Sequence, residues 1–166
     1  MHIIIDGYNL IGTERGLTGA LEHRRNRLVH QLSLYRKLKD FELTVVFDGW
    51  RSGHGAETIQ KSGDVRIVYS RQGEKADGVV VRLARAQGSG CVVVSSDREV
   101  ANAVEKFGAV AIPAGMFGQI LRSAETYGAW PENEDEEEDR HGKKGAERRM
   151  GKQQKRRLEI LRKLRP

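Results

Sequence analysis

Three times in this chain a short apolar run ends on small residues and an acid: Ile3-Ile4-Ile5-Asp6-Gly7, Leu43-Thr44-Val45-Val46-Phe47-Asp48-Gly49 and Cys91-Val92-Val93-Val94-Ser95-Ser96-Asp97. Branched apolar runs with little polar alternation suit strands buried on both faces, which belong to parallel sheets covered by helices on either side. The segments between them carry helical periodicity. Leu21, Leu28, Leu32, Tyr35 and Leu38 mark one helix over Leu21–Lys39, with Val29 and Leu34 widening its stripe. A second opens at Gly73-Glu74-Lys75-Ala76-Asp77 and turns Ala76, Val79, Val80, Leu83 and Ala84 inward; a third runs from Asp97 to Phe107. Val65–Ser70 alternates and reads as an edge strand, Ala109–Ile112 as a short last strand and Met116–Tyr127 as a final helix. Leu10–Gly19 reads as loop, as does Trp50–Gly63, with one helical turn over Ala56–Lys61. This alternation predicts right-handed crossovers and an α/β fold of three layers over residues 1–128, around a mostly parallel sheet of about five strands.

Beyond that domain the composition changes. Residues 131–166 carry 12 Lys/Arg against 9 Asp/Glu, and the two signs are segregated: Glu132–Asp139 holds seven acids and no base, whereas Arg140–Pro166 holds twelve bases against Glu147 and Glu159. Residues 129–141 are expected to be an acidic linker and 142–166 a basic tail that becomes helical on binding, since only Leu158, Leu161 and Leu164 form an apolar stripe. If about six tail bases, Arg156 and Arg157 among them, neutralise single-strand phosphates, the log–log salt slope of binding is roughly −4. Cys91 is the only cysteine, so no intramolecular disulfide can form. With no signal-peptide pattern and no long apolar run, a cytoplasmic protein away from membranes is expected.

In a parallel sheet the strand-end acids share one edge, and ligands bind outside the carboxyl ends of such strands. Asp6, Asp48 and Asp97, with Glu74 and Asp77 at a helix start, are therefore expected to converge. Two carboxylates about 5 Å apart repel by roughly 3 kcal/mol at an effective dielectric near 20. Several together call for a cation or for protonation. The candidates are all oxygen donors, and no histidine pairs with Cys91 or another histidine at zinc-like spacing, so Mg²⁺ or Mn²⁺ is the expected ion. Each acid also has a plainer reading as a turn or helix cap.

Ile5-Asp6-Gly7-Tyr8-Asn9, Val46-Phe47-Asp48-Gly49, Glu74-Lys75-Ala76-Asp77 and Ser95-Ser96-Asp97-Arg98-Glu99, in this order and spacing, resemble the NYN domain of the YacP type, a branch of the PIN-like nucleases. The resemblance spans about residues 2–122. It implies a PIN-like Rossmannoid sheet, a divalent-metal site and endoribonuclease chemistry on single-stranded RNA. By motif position Asp6, Asp77 and Asp97 would bind the metal and be catalytic, Asn9, Ser95 and Ser96 would support them, and Asp48 and Glu74 would be further acids at the margin. Relatives often carry another acid a turn into the second helix, where this chain has Val79, Val80 and Val81. A haloacid-dehalogenase-like phosphatase would need Asp-x-Asp after the first strand, and a P-loop or dinucleotide fold a glycine-rich loop; the chain has neither.

Arg15, Arg51, Lys61, Arg71, Lys75 and Arg98 are placed to track phosphates, and Tyr8 and Trp50 to stack on unpaired bases. His54 is a further loop candidate. The expected partner is single-stranded RNA, messenger or ribosomal, with the ribosome itself as a further candidate. The rival reading is an RNA- or ribosome-binding module on a degenerate nuclease fold; a DNA nuclease is a third.

Overall fold

Five strands, β1 (His2–Asp6), β2 (Glu42–Phe47), β4 (Val65–Tyr69), β5 (Cys91–Val94) and β6 (Val110–Ile112), run parallel in a computed structural model, which describes residues 1–13, 20–49, 55–128 and 151–166. Arg15, Trp50, Arg51, His54, the acidic run and the bases from Arg140 to Arg149 lie outside those residues. A sixth strand, β3 (Thr58–Ser62), pairs antiparallel with β4, so the sheet has the order β3-β4-β2-β1-β5-β6. The sheet thus has one strand more than expected. β3 stands where a loop with a helical turn was expected, and β4 is covered on its outer side rather than being the edge. β3 has only Ile59 as a large apolar residue, half-exposed, and no apolar periodicity; backbone pairing and the turn form it. Gly63 has φ +56°, and no described non-glycine residue has positive φ, as a type II′ hairpin through Gly63-Asp64 requires.

Three crossovers build the layers. α2 (Leu21–Leu38) links β1 to β2, α3 (Ala76–Gln87) links β4 to β5, and α4 (Arg98–Glu105) links β5 to β6. Alternate residues of β1 serve opposite faces: Ile3 and Ile5 join the core under α2, whereas Ile4 joins the one under α3 and α4. All three are fully buried. Each such side chain contributes roughly 1.5–3 kcal/mol of transfer free energy. α1 (Gly7–Thr13) begins directly after Asp6, where a loop was expected from Leu10, and Leu10 and Ile11 are buried against the first core. α5 (Ala114–Gly128) extends the expected last helix at both ends and packs on α2.

The basic tail ends in a formed helix, α6 (Lys152–Leu164). Its apolar stripe is docked rather than waiting for a partner: Leu164 is fully buried, Leu161 is 8% exposed, and the Tyr35 hydroxyl donates to the Leu164 carbonyl at 2.7 Å. Leu158 stays exposed. Among the described residues, no helix is long and apolar enough to cross a membrane.

Candidate active site

The chain goes one way along the sheet from β1 through β2 to β4, then returns through α3 to lay β5 on the other side of β1. This reversal opens a crevice between the carboxyl ends of β1 and β5, the place where doubly wound sheets bind ligands. Asp6 closes β1 there and is only 5% exposed. The Asn9 N–H donates to its Oδ1 at 3.1 Å, which caps the first turn of α1, and the Ser95 hydroxyl donates to its Oδ2 at 3.5 Å. Asn9 Oδ1 reaches across the crevice to accept the Ser96 N–H at 2.9 Å. Ser95 Oγ accepts the Asp97 N–H at 3.2 Å, and Ser96 Oγ accepts the Ala114 N–H at 3.1 Å. The residues expected to support the site are therefore the ones that tie β1, β5 and α5 together around it.

Every carboxylate but one in this crevice also serves a helix N-terminus. Asp97 is the N-cap of α4, its Oδ1 accepting the N–H groups of Glu99 at 2.7 Å and Val100 at 3.3 Å. Asp48 Oδ1 accepts the Ala76 N–H at 2.7 Å, so the end of β2 caps α3, whose own N-cap residue Lys75 makes no side-chain cap bond. Asp77 lies in the first turn of α3. Helix dipoles partly offset the negative charge of each acid.

That offset is incomplete. Burial first, then the charges of Asp77 and Asp48, push the Asp6 carboxyl up to about 6, against the lowering effects of the Asn9 and Ser95 hydrogen bonds. Asp77 is raised as well, by burial and by the charges of Asp97 and Asp48, with Lys75 and a hydrogen bond to Asp6 acting against the rise. Asp6, Asp48, Asp77 and Asp97 thus form one electrostatically linked group, in which ionisation of both Asp6 and Asp77 is disfavoured.

Glu74 does not join this group. Its Oε2 pairs with Arg71 Nε at 3.4 Å, and it is not among the charges that perturb Asp6 or Asp77. Among the described residues no three of His, Cys, Asp and Glu stand ready to close around an ion. Mg²⁺ does not need them to, since it is usually held by one or two carboxylates with waters and substrate phosphate completing the octahedron. The donor set fits such an ion. It is oxygen-only, it contains a pair whose second negative charge is costly, and Asp97 accepts both of its capping N–H groups on Oδ1.

Of the expected RNA contacts, Lys75 and Arg98 are exposed at the starts of α3 and α4, beside the acids, and Arg71 is exposed nearby. Tyr8 is partly buried, its ring packed against Phe47 at 5.2 Å between centroids, so it forms part of the wall instead of a free stacking platform. Lys61 stands in β3, where Lys61 pairs with Arg66, far from the carboxyl ends of the parallel strands. Arg156 and Arg157 lie at the opposite edge of the sheet, bonded to the Ser89 carbonyl and to Glu105.

The packing roles of two residues are not readable from the sequence. Ser70, fully buried, accepts the Gly49 N–H at 3.0 Å and donates to the Glu74 carbonyl at 2.6 Å, locking the end of β2 to the start of α3. Gly7 lies so close to Phe47 that a Cβ there would stand 2.2 Å from the ring. A serine ending an alternating strand and a glycine after an acid carry no distinguishing signal.

The YacP-like NYN domain model matches residues 3–163, which reaches to the last turn of α6. The curated protein YacP of Bacillus subtilis (strain 168) is 28% identical over 88 residues, 51% of each chain, so the matched stretch spans about half the length of that relative. Two crystal structures of Rae1 (YacP) from Bacillus subtilis share the fold. The W164L mutant has a TM-score of 0.65 and 22% identity over 76% of this chain and 77% of that one. The second has a TM-score of 0.63 and 23% identity over 76% of each. The chain belongs to the YacP-like NYN domain family, a family of nuclease-like domains.

Proposed function

We propose that the protein is a divalent-metal-dependent endoribonuclease that hydrolyses single-stranded RNA. The observation that carries this reading is the gathering of four carboxylates at the switch point, where burial first and then the charges of Asp77 and Asp48 raise Asp6 to about 6. Asp6, Asp77 and Asp97 would hold Mg²⁺ or Mn²⁺, with Asp48 fixing α3 and therefore Asp77. A bound ion of this kind activates water and stabilises the charge that develops on a phosphodiester during in-line displacement. Asn9, Ser95 and Ser96 hold the ends of β1 and β5 at a fixed separation, so the acids do not splay apart under their own repulsion. Lys75 and Arg98 supply positive charge at the rim, where flanking phosphates enter, Lys75 also offsetting part of the charge of Asp77.

The test is cleavage of a labelled single-stranded RNA with Mg²⁺, Mn²⁺ or EDTA, with and without ribosomes. Activity lost on chelation, and abolished in Asp6→Asn and Asp97→Asn with folding intact, is the expected outcome. Cleavage persisting in the purified double variant would refute it. The valines at positions 79 to 81 of α3 favour a second reading, an RNA- or ribosome-binding module without turnover. Chelator-sensitive turnover overturns that reading.

A further inference from the structure

α6 is the most densely charged element among the described residues, with six bases and one acid in 13 residues, and it lies on the far edge of the sheet from the acids. Its contacts locate it. Arg156 bonds to Ser89, just ahead of β5; Arg157 pairs with Glu105 at the end of α4; and Leu164 meets Tyr35 in the last turns of α2. All three partners lie where parallel strands begin, whereas Asp6 and Asp97 lie where they end. The five residues of β1 alone separate the two edges by roughly 16 Å.

The apolar side of α6 is already used, since Leu161 and Leu164 are buried in the core, so the helix has no face to insert into a lipid surface. The opposite side carries exposed Lys152, Lys155, Arg156, Arg162 and Lys163. Lys163 pairs with Glu159 at 3.2 Å and Arg156 is bonded to Ser89, while Lys152, Lys155 and Arg162 make no ion pair among the described residues. These three span ten residues, about 15 Å along a rigid helix. No aromatic residue occurs between Lys152 and Pro166. Single-stranded sites stack bases on aromatic side chains, whereas double-helical RNA is held through its shape, its phosphates and its 2′-hydroxyls.

We infer that the outward face of α6 is a docking surface for the backbone of double-helical RNA, separate from the site that takes the scissile strand. The choice of RNA rests on the nuclease reading above. The acids act on an unpaired segment at one edge of the sheet, while α6 holds a folded region of RNA at the other.

The test is a Lys152→Glu/Lys155→Glu/Arg162→Glu variant of the full chain, checked for helix content and melting temperature. Its affinity for a labelled RNA duplex of about 16 base pairs is measured by fluorescence anisotropy across a salt series. With three phosphate contacts removed, the log–log salt slope should become shallower by roughly 3 and affinity at moderate salt should fall at least tenfold. Metal-dependent cleavage of a single-stranded oligonucleotide of about ten nucleotides, too short to reach both edges and fold, should be unchanged. Unchanged duplex affinity in the variant, displacement of the duplex by an equal concentration of single strand, or loss of short-oligonucleotide cleavage would each overturn the inference. A wild-type protein that cleaves nothing but binds the duplex through α6 would refute the nuclease reading and leave the docking surface standing.

Discussion

Replacing Asp6 by Asn should make the protein inactive and at the same time more stable, and the stability change is the more searching test of the site. Asparagine is nearly isosteric, keeps an oxygen for the Asn9 N–H, and places an amide NH2 where Oδ2 stood, which can donate to the Ser95 hydroxyl oxygen. What it removes is the negative charge that burial, Asp77 and Asp48 all oppose. Asp6 is raised from 3.8 to about 6, so ionising it in the folded protein costs roughly 3 kcal/mol more than in the unfolded chain, at 1.36 kcal/mol per pKa unit. Between about pH 4 and pH 6 the folded state holds a proton that the unfolded chain has released. This group's contribution to stability is therefore complete below about pH 4 and is lost as the pH rises through 6. At pH 7.5 in EDTA the variant should melt higher than the wild type by up to about 6–12 °C, given some 2–4 °C per kcal/mol for a chain of this size. The difference should shrink toward zero near pH 4. Adding Mg²⁺ should raise the wild type and leave the variant nearly unmoved, since only a state that binds the ion gains from it. A variant less stable than the wild type at pH 7.5, or a difference that ignores pH, would refute the claim that a charged Asp6 is unfavourable in the folded state.

Three further substitutions probe the frame that holds the acids. Ser70→Ala leaves the buried Gly49 N–H without its acceptor and should cost about 1–3 kcal/mol in urea unfolding, with reduced cleavage because the end of β2 is freed from α3; a loss under 0.5 kcal/mol would count against that link. Gly7→Ala drives a methyl into the Phe47 ring and should destabilise by about 1–3 kcal/mol, with Phe47→Leu restoring much of it in a double-mutant cycle; additive losses would place the strain elsewhere. Tyr35→Phe removes the bond to the Leu164 carbonyl and should cost about 1 kcal/mol, seen as faster amide exchange in the last turn of α6 than elsewhere; uniform acceleration across the fold would show that α6 is not anchored there.

The parts of the fold that were legible are those where side chains alone decide the structure. β1, β2 and β5 are runs that only a doubly covered strand can bury, and the helices between them carry their stripes openly. β3 was not legible because its backbone, pinned by the Gly63 turn, does the pairing while its side chains face solvent. α1 was missed because its first residues, Gly7 and Tyr8, read as the turn after a strand; the Asp6 cap and the burial of Leu10 and Ile11 make it a helix. The tail was half legible. Its leucine stripe was visible, but that Leu164 fills a site beside Tyr35 depends on the whole domain being assembled first. In the site, Asp6 and Asp97 at strand ends and Asp77 at a helix start are linked by their charges, whereas Glu74 pairs with Arg71, a local contact three residues apart.

Capping and clustering are rival readings of each acid in the sequence, yet in the structure Asp6, Asp48 and Asp97 do both. Parallel strands end where the following helices begin, so an acid that caps a helix is carried to the crevice by the same geometry, and the helix dipole lowers the cost of gathering several of them. Asp48 allows the two roles to be separated. Its Oδ1 caps α3 at Ala76, the residue before Asp77, so the cap sets where Asp77 stands. Asp48→Asn keeps a good capping oxygen and loses the charge, whereas Asp48→Ala loses both. If Asp48 acts by placing α3, the Asn variant should stay within about 0.5 kcal/mol of the wild type and keep most of its cleavage, while the Ala variant should lose about 1–2 kcal/mol and most of its activity. Equal loss of cleavage in both, with stability preserved in the Asn variant, would mean that the charge itself takes part in the chemistry and that Asp48 belongs with Asp6, Asp77 and Asp97.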